Sequence, residues 1–427
     1  MITATIVLSL FALMLIGTPV GFAMGIAGSI GLYLIGGSPM VLAMLSATPL
    51  STAANYELLS IPMFVLMAEA VVASGIAAEL FDTMKVLVGR TRGGLAIATA
   101  LTGAGFAAIS GSSTIGAATL AATSLPAMLE RGYDRRLANG VVAISGTLGM
   151  LIPPSLALIL YSLLADTSIA TQLAAGVVPG LIITVIIALT VKYIVWREPE
   201  SAPVGSRYSW REKLASLSRT GPFLLLVLAV VGSLFLGIAT PSEAAAVGAF
   251  VACLLAFVSG RAPLSAVHTV LLNTARVTAM IATILIGAHV FGYALTLTQT
   301  TQSIIEAISG LNLNRWIVIT LIIAFKLFLG FFMDQFAILV LTVPLMVPIV
   351  VSMGFDPVWF GVILILTAEV GMVTPPVGLN AFVIARYTNQ PVEAVFAGVL
   401  PHVIAHLLAI ALFMAFPQLI LWPVGVR

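Results

Sequence analysis

Apolar runs long enough to cross a hydrocarbon core of about 30 Å recur from Ile2 to Trp422, interrupted mainly by Gly, Pro and small polar residues. With 60% hydrophobic and only 8% charged residues, the 427-residue chain cannot cover a water-facing surface, because soluble domains carry about a quarter charged residues. A large soluble enzyme is excluded, and the expected fold is an all-α polytopic membrane protein. The first run, MITATIVLSLFALMLIG, has neither a basic region before it nor a small-residue cleavage site, so it reads as a first span rather than a removed signal peptide.

The net charge of +2 comes without a basic block or an aromatic-basic stripe, so no nucleic-acid partner is expected. The single cysteine, Cys253, lies in an apolar run and reads as a small core residue, which leaves no disulfide framework or Cys-rich metal site.

One sustained polar stretch, REPESAPVGSRYSWREKLASLSRT at 197–220, divides the chain into 1–196 and 221–427. Shifting the first half by 222 positions pairs Thr18-Pro19 with Thr240-Pro241, Pro126 with Pro348, Gly132 with Gly354, Asp134 with Asp356, Gly149-Met150 with Gly371-Met372, and Pro153-Pro154 with Pro375-Pro376. Ten prolines precede Arg207 and eleven follow Phe223, so these four proline coincidences compare with about half of one by chance. The halves read as an internal duplication, which in a membrane protein suggests a transporter.

Charge indicates how the halves are oriented. The turn LERGYDRR carries Arg131, Arg135 and Arg136, whereas its partner VSMGFDPV has no Lys or Arg. The positive-inside tendency puts the first turn in the cytoplasm and the second on the other side. Inverted repeats are therefore expected, with the linker also cytoplasmic.

Each half contains one unusual pair of segments. GAGFAAISGSSTIGAATLAATSLPAML is apolar but dense in Gly, Ser and Thr around 110–114, which predicts a re-entrant hairpin at about 103–130 with a serine-rich tip. LFLGFFMDQFAILVLTVPLMVPIV predicts a second hairpin at about 326–353, with Asp334-Gln335 aligned with Ser112-Ser113. VAISGTLGMLIPPSLALILYS and ILTAEVGMVTPPVGLNAFVIA carry a double proline inside an apolar run. Such a pair removes two amide donors and unwinds the helix, predicting broken helices at about 138–165 and 358–386 with carbonyls left to bind something else.

Hydroxyls and carbonyls are hard, weakly charged oxygen ligands suited to a monovalent cation that is released in every cycle. With no buried cation or metal-binding set expected beside them, sodium fits better than a transition metal. Helix N-termini at Ser112-Ser113 and after Pro154 and Pro376 suit a carboxylate. The alternative for the small-residue cluster is close helix packing. Asp334 is a candidate as an ionisable group at membrane depth, with helix capping as its structural alternative. Gln335 and Asn380 are candidate substrate contacts, as is Arg386, which alternatively snorkels to the interface. Glu369 also flanks the second double proline. His402 and His406 lie four residues apart but have no third metal ligand nearby, and read as a packed pair. Glu57, Glu69 and Glu243 are read as loop or packing residues. No GxSxG, HExxH or Walker pattern is present, so an intramembrane enzyme is only a distant alternative.

The segments SGSSTIGAATLAATSLPAMLERGYDRRLANGVVAISGTLGMLIPPS and GFFMDQFAILVLTVPLMVPIVVSMGFDPVWFGVILILTAEVGMVTPPVGLNAF resemble the large membrane subunit, DctM-like, of tripartite ATP-independent periplasmic (TRAP) transporters. The likeness runs over essentially the whole chain. It implies a sodium-driven importer of organic acids in a bacterial inner membrane, with elevator-type scaffold and transport domains and no cofactor beyond the coupling ions. It further implies two partners, a small four-helix membrane subunit, expected as a separate chain, and a soluble periplasmic substrate-binding protein. By the same resemblance one sodium is held by Ser110, Ser113, Gly149, Ile152 and Pro154. A second is held by Gly330, Gly371, Thr374 and Val377. Ser112, Asp334, Gln335, Asn380 and Arg386 remain substrate candidates. The main alternative is a stand-alone sodium-dicarboxylate symporter of related architecture.

Overall fold

The protein is described here by a computed structural model covering residues 1–258, 260–311 and 313–425. The first half contains α1 (Ile2–Leu15), α2 (Val20–Ala53), α3 (Ser60–Ala73), α4 (Ile76–Val88), α5 (Gly94–Ser110), α6 (Ser113–Glu130), α7 (Arg135–Thr147), α8 (Leu156–Ala165) and α9 (Ile169–Arg197). The linker contributes α10 (Trp210–Arg219). The second half contains α11 (Gly221–Val227), α12 (Ser233–Phe235), α13 (Pro241–Cys253), α14 (Ala266–Leu297), α15 (Thr300–Gly310), α16 (Arg315–Gly330), α17 (Gln335–Ser352), α18 (Pro357–Met372), α19 (Leu379–Thr388), α20 (Val392–Ala415) and α21 (Gln418–Leu421). Among the described residues, seven helices are long and apolar enough to cross a membrane.

The residues matched by the 222-position offset start helices in equivalent ways. Asp134 caps α7 by accepting from the Arg136 and Leu137 amides at 2.8 and 3.1 Å, and Asp356 caps α18 by accepting from Val358 and Trp359 at 2.7 and 3.1 Å. Pro19 precedes α2, and Pro241 opens α13 beside the reciprocal Thr240–Glu243 capping box. The offset also pairs Pro179 in α9 with Pro401 in α20.

Helices of the two halves pack on each other reciprocally. α2 lies against α14 and α13 against α3, while α6 packs on α19 and α17 on α8. The hydrogen bonds between the halves fix directions. Asn139 Nδ2, near the start of α7, donates to Gln390 Oε1 just beyond α19 at 3.0 Å. Tyr161, near the end of α8, donates to the Pro357 carbonyl at 2.5 Å, and Gln172 Nε2 donates to the Val358 carbonyl at 3.1 Å, both at the start of α18. The segments α7–α8 and α18–α19 therefore run antiparallel.

Several boundaries differ from those read in the sequence. The first hairpin arm starts at Gly94 rather than 103, and the second at Arg315 rather than 326. The arms have 16 to 18 residues, or about 24–27 Å, so they are nearly span-length rather than short half-helices. Gly103 lies against Ser145 and Lys326 is buried, so neither interrupts its helix. The linker is tied to the base of the first hairpin: Asp134 donates its amide to the Ser201 carbonyl at 2.8 Å, and Arg92 bridges to Val204. The turn at 353–356, read as free of cations, has Arg315 5.2 Å over the Phe355 ring.

Candidate functional site

The first hairpin tip and the first break are in direct contact. Ser110 ends α5, Gly111 turns the chain at φ +57°, and Ser112 starts α6 from an extended conformation. The Leu156 amide donates to the Gly111 carbonyl at 3.3 Å, tying the tip to the first residue of α8, two positions after the double proline. Gly149 packs so closely that a Cβ there would stand 2.8 Å from the Ser112 carbonyl oxygen. A Cβ on Gly111 would stand 3.1 Å from the Pro154 carbonyl oxygen.

This junction presents oxygen atoms without donors. The Gly149 and Met150 carbonyls would receive i+4 amides in a continuous helix, but those positions are Pro153 and Pro154, which have none. Ser155 donates its hydroxyl to the Met150 carbonyl and accepts from Leu158 as the cap of α8. The Gly149 carbonyl has no such side-chain donor among the described residues. Ser110 Oγ is buried and has no hydrogen-bond partner among the described residues, where Ser113 Oγ reaches only the Met372 sulfur at 3.5 Å. Ser110, Ser113, Gly149 and Pro154 are thus brought together, with the half-buried Ile152 next to them and its side chain turned onto Gly180 of α9. Hydroxyl and carbonyl oxygens of this kind suit a dehydrated monovalent cation.

The second set is related but different. Gly330 and Gly371 meet backbone to backbone, since a Cβ on Gly371 would lie 2.7 Å from the Gly330 Cα. Thr374 donates its hydroxyl to the Val370 carbonyl at 2.5 Å, leaving its lone pairs free, and Val377 is half-buried. Pro375 and Pro376 are exposed, whereas Pro153 and Pro154 are buried, so the second break is the more open one. Lys326 is completely buried one turn before Gly330, and its side-chain nitrogen has no partner among the described residues. The i, i+4 spacing puts Lys326 on the Gly330 side of α16, toward α18. The sequence reading, which expected no buried cation beside the breaks, is corrected here: Lys326 looked like an ordinary arm residue, and only packing shows that it is enclosed.

The candidate substrate residues separate. Gln335 and Asn380 are buried, with Gln335 Oε1 and both Asn380 amide atoms unpartnered among the described residues. Asp334 is exposed and caps α17, accepting from the Phe336 and Ala337 amides at 2.9 and 3.2 Å. It is therefore not enclosed in an apolar setting, as its sequence neighbours suggested. It lines a cleft of about 790 Å³ together with Thr18, Thr283, Leu379 and Arg276. Arg276, a cation well inside the long apolar α14, was missed in the sequence; its signal was a charge within a span. Arg386 is exposed in the last turn of α19, away from this cleft. Ser112 is buried, and its hydroxyl contacts only Thr114 Oγ1 at 3.3 Å. Glu243 belongs to a cap and Glu69 Oε2 accepts from Asn273 at 2.9 Å, as expected of packing residues.

Residues 7–419 match the family described as "Tripartite ATP-independent periplasmic transporter, DctM component". The chain belongs to the DctM family. It is 36% identical to the C4-dicarboxylate TRAP transporter large permease protein DctM of Pseudomonas aeruginosa, over 89% of this chain and 88% of that protein. It is 32% identical to the sialic acid TRAP transporter large permease protein SiaM of Vibrio cholerae, over 85% of each chain. The fold is similar to the crystal structure of the Alcanivorax borkumensis YdaH transporter, with a TM-score of 0.64, 14% identity and 90% of each chain covered. This DctM component is therefore a multi-pass inner-membrane transport subunit and not an enzyme.

Proposed function

We propose that this DctM component imports an organic acid by sodium symport. The observation that carries the reading is the junction of Ser110, Ser113, Gly149, Ile152 and Pro154, where buried hydroxyl and carbonyl oxygens without donors meet at a hairpin tip bonded to a broken helix. Sodium is the fitting occupant because the ligands are hard, neutral and few. The second set of Gly330, Gly371, Thr374 and Val377 is the proposed second sodium site, and the Lys326 side chain opposes a cation there when it is protonated. The substrate is a carboxylate or related anion, the class to which the C4-dicarboxylate and sialic acid of the relatives' names belong. Asp334, Gln335, Asn380 and Arg276 surround its proposed path, and Arg276 replaces Arg386 as the preferred counter-charge.

The reading includes an elevator mechanism, in which hairpins and broken helices move against a scaffold built around α2, α3, α13 and α14. It also includes a periplasmic binding protein that delivers the acid and a small four-helix membrane subunit as partner, in keeping with one component of a tripartite transporter. The test is uptake in proteoliposomes containing the subunit and its partners. A sodium gradient should drive accumulation, and omitting the binding protein should abolish it. Uptake driven equally well by a proton gradient in sodium-free buffer would sink the sodium assignment. Uptake unaffected by omitting the binding protein would favour the stand-alone symporter.

Two narrower results are expected. At a pH low enough to protonate Lys326, Lys326→Met removes an opposing charge, so half-maximal uptake should come at a several-fold lower sodium concentration, about the effect of 1 kcal/mol of relieved repulsion. An unchanged or higher value would separate Lys326 from the second site. The proposed inverted repeats, supported by the antiparallel broken helices, place exposed Arg135 and Ser352 on opposite sides of the membrane. In a Cys253→Ser background, cysteines at these two positions should be labelled by an impermeant reagent from opposite faces; labelling from one face would refute the inversion.

A further inference from the structure

Thr52, near the end of α2, and His289 in α14 are joined by a hydrogen bond, with the Thr52 hydroxyl 3.1 Å from His289 Nδ1. Other threonines inside these helices spend the hydroxyl proton on the carbonyl four residues earlier, as Thr184, Thr190 and Thr274 do. Thr52 does not. Among the described residues its hydroxyl has His289 as its sole partner, and the Thr48 carbonyl takes the Ser51 hydroxyl instead at 3.1 Å. Thr52 therefore donates to Nδ1, which leaves the neutral imidazole with its proton on Nε2.

His289 and Ser51 border two cavities, of about 460 and 90 Å³. The larger also takes in Thr48 of α2, Tyr293 of α14, Leu164 of α8 and Pro344 of α17, and the smaller reaches Asn55. Asn55 spends its side-chain oxygen on the Glu57 amide at 2.9 Å, which leaves its NH2 group to donate. The Thr48 and Tyr293 hydroxyls add two further donors. Among the described residues no Asp, Glu, Lys or Arg lines either cavity. Neutral donors without a competing carboxylate suit an anion held by hydrogen bonds rather than by an ion pair.

These cavities stand at a different depth from the cleft of Arg276 and Asp334. α14 and α17 pack on each other. The cleft takes Arg276 and Thr283 from α14 with Asp334 and Ala337 from the start of α17, whereas the larger cavity takes His289 and Tyr293 with Pro344. Both helices therefore run the same way, from the cleft toward the base of the second hairpin. His289 lies about 20 Å beyond Arg276 along α14, and Pro344 lies about 15 Å beyond Asp334 along α17. In the proposed inverted arrangement this direction leads to the membrane face opposite Arg135. A shift of the second hairpin by about 15 Å along α14 brings Asp334 and Gln335 to the level that Pro344 now holds, beside His289.

We propose that this cavity is the scaffold half of a second substrate site, used when the moving hairpins stand at the outer level. His289 Nε2–H, with the Asn55 amide and the Tyr293 hydroxyl, donates to the carboxylate of the arriving organic acid, and Thr52 is the positioning residue that fixes the imidazole tautomer. The proposal rests on the reading of the chain as an elevator-type importer of organic acids. It divides the scaffold contacts by depth: neutral donors receive the acid at the outer level, and Arg276 faces it at the inner one. Neutral donors bind a carboxylate less tightly than a guanidinium does, so the outer site passes the acid on rather than retaining it.

The arrival of the tip is read without any substrate. In a Cys253→Ser background in lipid nanodiscs, a short bismaleimide should bridge cysteines that replace His289 and Asp334, and also cysteines that replace Arg276 and Asp334, which line one cleft. If only the second pair is bridged, the hairpin does not reach the cavity and the proposal is overturned, whether or not sodium drives uptake. Uptake by the complex in proteoliposomes is measured with radiolabelled succinate and N-acetylneuraminate, a C4-dicarboxylate and a sialic acid. For the acid that wild type accumulates, His289→Leu should lower the rate about tenfold at normal expression, the effect of one lost hydrogen bond to a charged group. His289→Gln, whose amide supplies an N–H to the cavity, should recover most of that loss. Equal rates in His289→Leu and wild type overturn the proposal, and so does equal impairment of the Leu and Gln variants, which makes His289 a packing residue. The expected pattern without any sodium dependence leaves the site standing and removes the sodium reading. Should His289→Leu not fold, Thr52→Val and Thr52→Ser carry the test: Val should slow uptake several-fold more than Ser, and equal rates overturn the proposal. Should wild type accumulate neither acid, the cross-link alone decides.

Discussion

Gly149→Ala is expected to reduce sodium-driven uptake at least tenfold while leaving insertion and expression near normal. The added Cβ would stand 2.8, 3.0 and 3.2 Å from the carbonyl oxygen, carbonyl carbon and amide nitrogen of Ser112. All three are backbone atoms, so no side-chain rotation relieves the clash and the tip must retreat from the break. Overpacking of this kind costs about 1–3 kcal/mol, and its cost falls on the junction that assembles the proposed cation ligands. Gly292→Ala is the control, because nothing lies within 4 Å of a Cβ there. If both variants transport alike at all sodium concentrations, the tip–break contact has no part in coupling.

Asp334→Asn is the second large effect expected. Asparagine caps a helix about as well as aspartate, and its Oδ1 can accept from Phe336 and Ala337 as Asp334 does. The substitution therefore removes the charge and keeps the cap, which separates the two roles that Asp334 combines. Uptake should fall at least tenfold or its sodium dependence should shift, with normal expression. Asp334→Ala should in addition lower stability by about 1 kcal/mol through loss of the cap. Unchanged transport by Asp334→Asn would show that Asp334 is a cap only. Ser112→Ala should have the smaller effect, since Ser112 makes no side-chain cap bond and carries no charge. The reverse order would make the first tip the more important one for substrate or ion.

The tip and the break that form the proposed first cation site were largely readable in the sequence because local rules dictate them. A double proline removes the donors for the carbonyls four residues earlier wherever it occurs, and Gly111 between serines turns the tip at a positive φ. The charge at Arg276 was visible too, but it was not connected to Asp334 because the two belong to distant segments.

By itself the sequence determined that the chain spans a membrane as helices, that its halves are matched at 222 residues, and where the helices break. These features follow from hydropathy, from repetition and from the missing amide of proline. Only the tertiary structure decided which polar groups are enclosed: Lys326, Glu369, His402 and His406 are buried, whereas Asp334 and Arg386 are exposed. The reason is physical. Lipid tails are as apolar as a protein interior, so a membrane helix shows no hydrophobic stripe that separates its protein face from its lipid face. What encloses a side chain here is the contact between α16, α18 and α20, and that contact joins residues far apart in the chain.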